Sequence, residues 1–116
     1  MPYENLEVWK RSVVLSARLY RATSSIRDFG FRDQMTRSAL SIASNIAEGY
    51  ERDTDPQIAN FLRIAKGSSG ELPTQILIGM KANYLDEAHA KAWEDESRQI
   101  GAILGSLIKR QQSKNS

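Results

Sequence analysis

The sequence predicts an all-α fold, an antiparallel up-down-up-down four-helix bundle, and three observations carry that prediction. Apolar residues recur at helical spacing along nearly the whole chain, with almost no β-branched alternation. Only three prolines occur in 116 residues. The connections between the periodic segments are short, which favours antiparallel neighbours. The length suits a single domain over residues 1–116, with helices at about 5–23, 30–52, 56–83 and 87–112.

The first helix carries two apolar lobes when its residues are set at about 100° per step. Leu6, Trp9, Val13, Ala17 and Tyr20 form one, and Val8, Leu15, Leu19 and Ala22 the other. A narrow polar strip of Ser12, Ser16 and Thr23 separates them, and Glu7, Lys10, Arg11, Arg18 and Arg21 share the remaining face. Two lobes suit either a broadly buried helix in a monomer or a helix that packs once within its chain and once against a second subunit. The pattern favours an oligomer, because a large apolar patch left in water invites aggregation.

The second helix turns Phe31, Met35, Ala39, Ile42, Ala43, Ile46, Ala47 and Tyr50 inward. Its other face holds Gln34, Arg37, Ser38, Ser41, Ser44, Asn45, Glu48 and Arg52, with Asp33/Arg37 and Glu48/Arg52 as i,i+4 pairs. Serine and asparagine are poor choices for a solvated helix face. They predict either a tolerated polar surface or a closely approaching partner helix, bonded through Arg37, Asn45 and Glu48.

Asp53-Thr54-Asp55-Pro56 reads as an Asp cap followed by proline at the first helical position. The third helix then presents Ile58, Phe61, Leu62, Ala65, Leu72, Ile76 and Met80 inward. Gly67-Ser68-Ser69-Gly70 and Pro73 interrupt it, and Ser68-x-x-Glu71 resembles a capping box. Either two short helices meet there, or one helix runs through, kinked at Pro73, with Gly67 and Ser68 kept small by a tightly packed neighbour. The fourth helix, capped by Asp86, buries Trp93, Ile100, Ile103, Leu104, Leu107 and Ile108. Gly101-x-x-x-Gly105 beside that stripe would admit another helix closely.

Composition narrows the function classes. With no cysteine there is no disulfide framework, thiolate metal site or cysteine nucleophile, which fits a reducing cytoplasm. The charged first twenty residues lack a signal-peptide core, and the apolar run Ile76–Met80 is far short of the roughly 20 residues of a membrane span. Catalysis lacks an inventory. His89 is the only histidine and sits one turn before Trp93, where it reads as a packed or interface residue. The two Glu-x-x-His motifs of a di-metal bundle are missing, the glycine-serine run lacks the Lys-Ser/Thr of a phosphate loop, and the serines have no base. No cofactor, metal or small-molecule substrate is expected. A net charge of +2 and a pI near 9.0 permit nucleic-acid contact without demanding it. The candidate contact residues are Lys10, Arg11, Arg18 and Arg21. A scaffold that recruits another protein through helix faces is the alternative.

Ser41-Ile42-Ala43-Ser44-Asn45-Ile46-Ala47-Glu48-Gly49, followed by Arg52, is more specific than any of these patterns. Leu6-x-Val8-Trp9, Gln34-x-x-Arg37-Ser38-Ala39 and Phe61-x-x-Ile64-Ala65-x-Gly67-Ser68 accompany it. Together, over nearly the whole chain, they resemble the bacterial four-helix-bundle family of 23S rRNA intervening-sequence proteins. The resemblance implies a ring-shaped homo-oligomer, typically a pentamer, and a continuous third helix. It also points towards RNA or nucleoprotein partners, since related accessory proteins of diversity-generating retroelements use a basic ring to engage nucleic acid and a reverse transcriptase. Arg37, Ser41, Asn45, Glu48 and Arg52 are on this basis the signature or subunit-interface polar residues. Gly70 and Pro73 depart from the family pattern and imply a kink there.

Overall fold

The computed structural model describes residues 2–113. After a 3-10 turn at Tyr3–Asn5, four helices follow: α1 (Glu7–Thr23), α2 (Phe29–Tyr50), α3 (Asp55–Lys81) and α4 (Glu87–Ser113). They pack in cyclic order, α1 on α2, α2 on α3, α3 on α4 and α4 back on α1, the last contact being the sparsest. Each pair runs antiparallel. Ser41 meets Ser68 while Gly49 meets Phe61, and Ser69 meets Ser97 while Lys66 lies by Gly105. No strand occurs among the described residues, and none of their helices is long and apolar enough to cross a membrane.

The helix ends have identifiable causes. Asp28 accepts from the Phe31 N–H at 3.1 Å to start α2, and Asp86 accepts from the His89 N–H at 2.9 Å to start α4. The cap of α3 is Thr54, whose hydroxyl accepts from the Gln57 N–H at 3.4 Å, so Asp55 is the first helical residue and Pro56 the second. That is one residue earlier than the Asp-Pro pair implies, because a β-region threonine satisfies the same orphan donor as well as an aspartate. α3 ends on Asn83, whose φ of 64° lets the Tyr84 N–H reach the Gly79 carbonyl at 2.8 Å and the Asn83 N–H reach that of Met80 at 3.0 Å. This is a Schellman motif with asparagine in the left-handed position.

The core is built by Leu15 and Leu19 of α1, Met35, Ile42 and Ile46 of α2, Leu62, Leu72 and Ile76 of α3, and Ile100 and Leu104 of α4. In α1 the lobe of Val8, Leu15 and Leu19 faces inward and carries the serine strip with it. Ser12 and Thr23 are buried because each hydroxyl bonds back to its own helix, on the carbonyls of Val8 and Leu19, both at 2.7 Å. The other lobe is divided, with Leu6 and Trp9 packed partly against the core and Val13 and Tyr20 exposed.

α3 runs unbroken through Gly67–Gly70 and Pro73. Proline has no N–H, so the carbonyl four residues earlier, that of Ser69, loses its helical donor. Ser97 of α4 supplies the replacement, its hydroxyl donating to the Ser69 carbonyl at 2.8 Å in a buried setting. The apparent capping box is not one. The Ser68 hydroxyl instead reaches Ser41 of α2 at 2.9 Å. Small size matters at other positions than expected. A Cβ on Gly101 would lie 2.8 Å from the Ser69 Oγ, and one on Gly49 would lie 3.0 Å from the Phe61 Cβ and 3.3 Å from the Ile58 carbonyl oxygen. Gly67 and Gly70, by contrast, face open space, so no neighbour requires Gly67 to be small.

Opposite signs are therefore expected for glycine substitutions, read as changes in thermal or urea midpoint. Gly67→Ala and Gly70→Ala should each stabilise by about 0.4–1 kcal/mol through lower chain entropy and better helix propensity. Gly49→Val should destabilise by roughly 1–3 kcal/mol through overpacking against backbone. Ser97→Ala should cost about 1–3 kcal/mol by stranding the buried Ser69 carbonyl. In a Pro73→Ala background, where a main-chain donor returns, that loss should shrink; equal losses in both backgrounds would refute the pairing.

Candidate nucleic-acid interface

The four basic residues of α1 fall into two kinds. Arg11 is half-buried and forked onto α4, with Nε 2.9 Å from Glu96 Oε2 and Nη2 2.5 Å from Glu96 Oε1, and with Gln99 Oε1 accepting a further bond at 2.8 Å. This two-pronged geometry is the strong form of the pair. The hydrogen bond from Arg11 holds the Glu96 carboxyl below the ordinary range, against a smaller opposing effect of burial, and the same bond raises the guanidinium. Arg11 thus serves as the clasp between α1 and α4, with its Nε and Nη2 committed to α4.

Lys10 is exposed, in loose contact with Glu7 at 3.4 Å. Arg18 and Arg21 are exposed, and neither makes an ion pair or a side-chain hydrogen bond among the described residues. They stand on the edge of a groove of about 850 Å³ between the second half of α1 and the start of α4. The groove lies along the α1–α4 contact, the sparsest of the four helix pairings. Trp93 lies along it with His89 stacked on its ring, centroids 5.4 Å apart and planes inclined 28°. Tyr84, half open to solvent, and Asp86 close the far end.

Of the two readings of His89, packed or interface, the structure sets aside the packed one. The side chain is 68% exposed rather than packed, because Asp86 draws Nδ1 to 2.5 Å while capping α4. The Asp86 carboxyl is held low first by the backbone hydrogen bond from His89 and then by the bond from its ring. Glu96, Trp93, His89 and Tyr84 therefore belong to the site although none was a sequence candidate for it. The Arg11–Glu96 pairing spans 85 positions, and no periodicity within either helix announces such a contact.

The signature polar residues occupy a different side, the α2–α3 seam. The Asn45 Nδ2 donates to the carbonyl and hydroxyl of Ser41, both at 2.9 Å, and Ser41 meets Ser68. Arg52 pairs with Glu48 and lies over the Phe61 ring, 4.6 Å from its centroid. The partner helix that their small size called for is, at Ser41, α3 of the same chain. Arg37 and Ser44 are exposed. The basic and signature residues are thus not one constellation.

The Glu96 carboxyl, lower in the folded chain than the ordinary value near 4.3, contributes stability that is complete above that value and lost as pH falls through its folded value. Glu96→Gln should flatten the acid limb of a stability-versus-pH curve and lower the midpoint at neutral pH modestly, by about 1 kcal/mol or less. An unchanged acid limb would remove the clasp from this account.

Comparison with known proteins bears on the fold and the family. No curated protein matches. A solved protein of unknown function from the S23 ribosomal protein family of Bacteroides thetaiotaomicron is similar, with a TM-score of 0.81 at 24% identity over 88% of this chain and 98% of that one. That likeness speaks for the fold alone. Residues 4–106 match the family described as 23S rRNA-intervening sequence protein. On the extent of that match, the chain belongs to the 23S rRNA-intervening sequence protein family.

Proposed function

We propose that this protein is a non-catalytic cytoplasmic accessory protein that assembles head to tail into a ring, as a homopentamer, and engages RNA through its phosphate backbone. The observation that carries the nucleic-acid part is the pair of unpartnered guanidiniums of Arg18 and Arg21, continued along the helix by Lys10. Their unsatisfied charge, on a chain whose family is named for its place in ribosomal RNA, suits sequence-tolerant binding to phosphate. Two or three cations are few for one subunit. A ring would repeat them, and multivalency would raise the affinity without new contacts.

The ring part rests on where apolar surface is left over. Val13 and Tyr20 of α1 are exposed on one side of the bundle, and Ile64 and Ile78 of α3 on another. α1 and α3 sit diagonally in the cyclic order, so their outward faces look in opposed directions. Two different apolar faces pointing apart are what a heterologous, ring-closing contact uses. The same faces favour the second reading, a protein-recruiting scaffold with no nucleic-acid role.

One set of variants separates the two. Lys10, Arg18 and Arg21 are changed to Glu together, with Arg11 left in place, since a glutamate there would face Glu96 and break the α1–α4 clasp. Under the RNA reading, anisotropy with a labelled structured RNA should show at least a tenfold loss of affinity and a salt slope smaller by about one per lost contact. Light scattering on the same variant should still give a multiple of the 13.0 kDa chain mass. Unchanged RNA retention would sink the RNA reading, and a 13.0 kDa species in the parent protein would sink the ring.

A further inference from the structure

The groove between α1 and α4 has a chemical character that backbone binding alone does not need. It joins two unpartnered cations to a stacked pair of aromatic rings at one opening. We propose that this groove receives an unpaired nucleotide, its base against the exposed His89–Trp93 stack and its phosphate between Arg18 and Arg21. The proposal deepens the RNA reading and rests on it for the source of the nucleotide.

Three features support that occupant. The first is size, since about 850 Å³ falls within the roughly 300–1,000 Å³ of sites that enclose small organic ligands. The second is the charge balance. Two carboxylates line the groove, and each already has a partner on the protein: Asp86 is engaged by the main-chain N–H and Nδ1 of His89, and Glu96 by Arg11. The positive charge of Arg18 reaches Glu96 only as a weaker influence behind that of Arg11. With Arg11 counted, three guanidiniums stand against these two carboxylates, so the groove keeps a net positive charge, and a guanidinium pair suits the oxygens of a phosphate. The third is the aromatic surface. The His89 side chain is 68% exposed, so one face of the stack is open to a further ring, and stacking against bases is sequence-tolerant because every base has a π-face. Inside a duplex both faces of a base are covered by its stacked neighbours, so the groove should discriminate single strands from duplex.

The test uses the full chain carrying Trp9→Phe, which leaves Trp93 as the only tryptophan. Its emission is followed while adenosine monophosphate, a single-stranded 12-nucleotide oligoadenylate or a duplex of equal length is added, with anisotropy of labelled RNA in parallel. The expected result is saturable quenching by the single strand, little by the duplex, and about tenfold or greater weakening by Arg18→Ala/Arg21→Ala. These two residues are exposed, so their loss should leave the fold intact, and circular dichroism checks this. Quenching by the monophosphate with the same arginine dependence, but no binding of either RNA, would keep the groove as a nucleotide site and discard the RNA reading. RNA binding that leaves Trp93 emission unchanged, or that ignores the arginine pair, would overturn the groove while sparing the RNA reading. Shielding of Trp93 from acrylamide in the assembled, ligand-free protein would mean that a neighbouring copy fills the groove, and would overturn it as well.

Discussion

One buried hydrogen bond, from the Ser97 hydroxyl to the Ser69 carbonyl, permits the long third helix on which the rest of the bundle leans. Pro73 removes the main-chain donor that this carbonyl would otherwise have. A buried carbonyl without a donor costs about as much as a lost hydrogen bond several times over in the worst cases, so a helix crossing this point needs help from outside itself. α4 provides it, and can do so only because Gly101, one turn beyond Ser97, has no Cβ to strike Ser69. Proline, serine and glycine are each poor helix residues alone. Here the weakness of one is answered by the smallness of the others. The α3–α4 distance is set by that arrangement, and α2 is brought against another face of α3 by a similar device, with Gly49 against Phe61 and Ser41 against Ser68.

α1 is held differently. Its inner lobe joins the core, but its contact with α4 is the sparsest of the four and carries the Arg11–Glu96 clasp. A partly buried, two-pronged ion pair fixes orientation better than it adds stability. The groove is the consequence. Had an aliphatic pair stood in place of Arg11 and Glu96, the two helices could have closed along their length and hidden Trp93. The polar clasp holds them in register at one end while the capping pair of Asp86 and His89 keeps the other end of α4 open to solvent.

Much of this was legible from residues alone, and the division between what was and was not is physical. The four helices follow from periodicity, as do the inward positions of Leu62, Leu72, Ile76, Ile100 and Leu104. Which lobe of α1 faces inward was not legible, because both are apolar and the choice depends on how the serine hydroxyls of the strip are satisfied. The stop signal at Gly67–Pro73 was misleading for a related reason. Local propensity prices the broken hydrogen bond at Pro73 but knows nothing of Ser97, which lies 28 residues away from the carbonyl it repairs. The packed reading of His89 failed on the same ground. Its place one turn before Trp93 suggested burial, whereas the carboxylate three residues before it captured the ring at the surface. Spacing within a helix reports faces. It does not report which side chain on a neighbouring helix, or at a cap, has a prior claim.

That distinction bears on how the modest charge of the chain should be read. Four basic residues on one face of α1 look equivalent in a sequence, yet Arg11 is neutralised by Glu96 and contributes mainly to architecture. The field available to an anion is that of Arg18 and Arg21, with Lys10 loosely tethered to Glu7. A net charge of +2 therefore says little about this region, because elsewhere on α4 carboxylates and cations such as Glu87 with Lys91 and Glu94 with Arg98 cancel within their own helix. Electrostatic attraction over a Debye length of about 8 Å in physiological salt depends on the local sum and hardly at all on the total. On that scale the open end of the α1–α4 groove is cationic and aromatic together. Those properties suit a nucleic-acid strand whose bases are free better than they suit a rigid duplex.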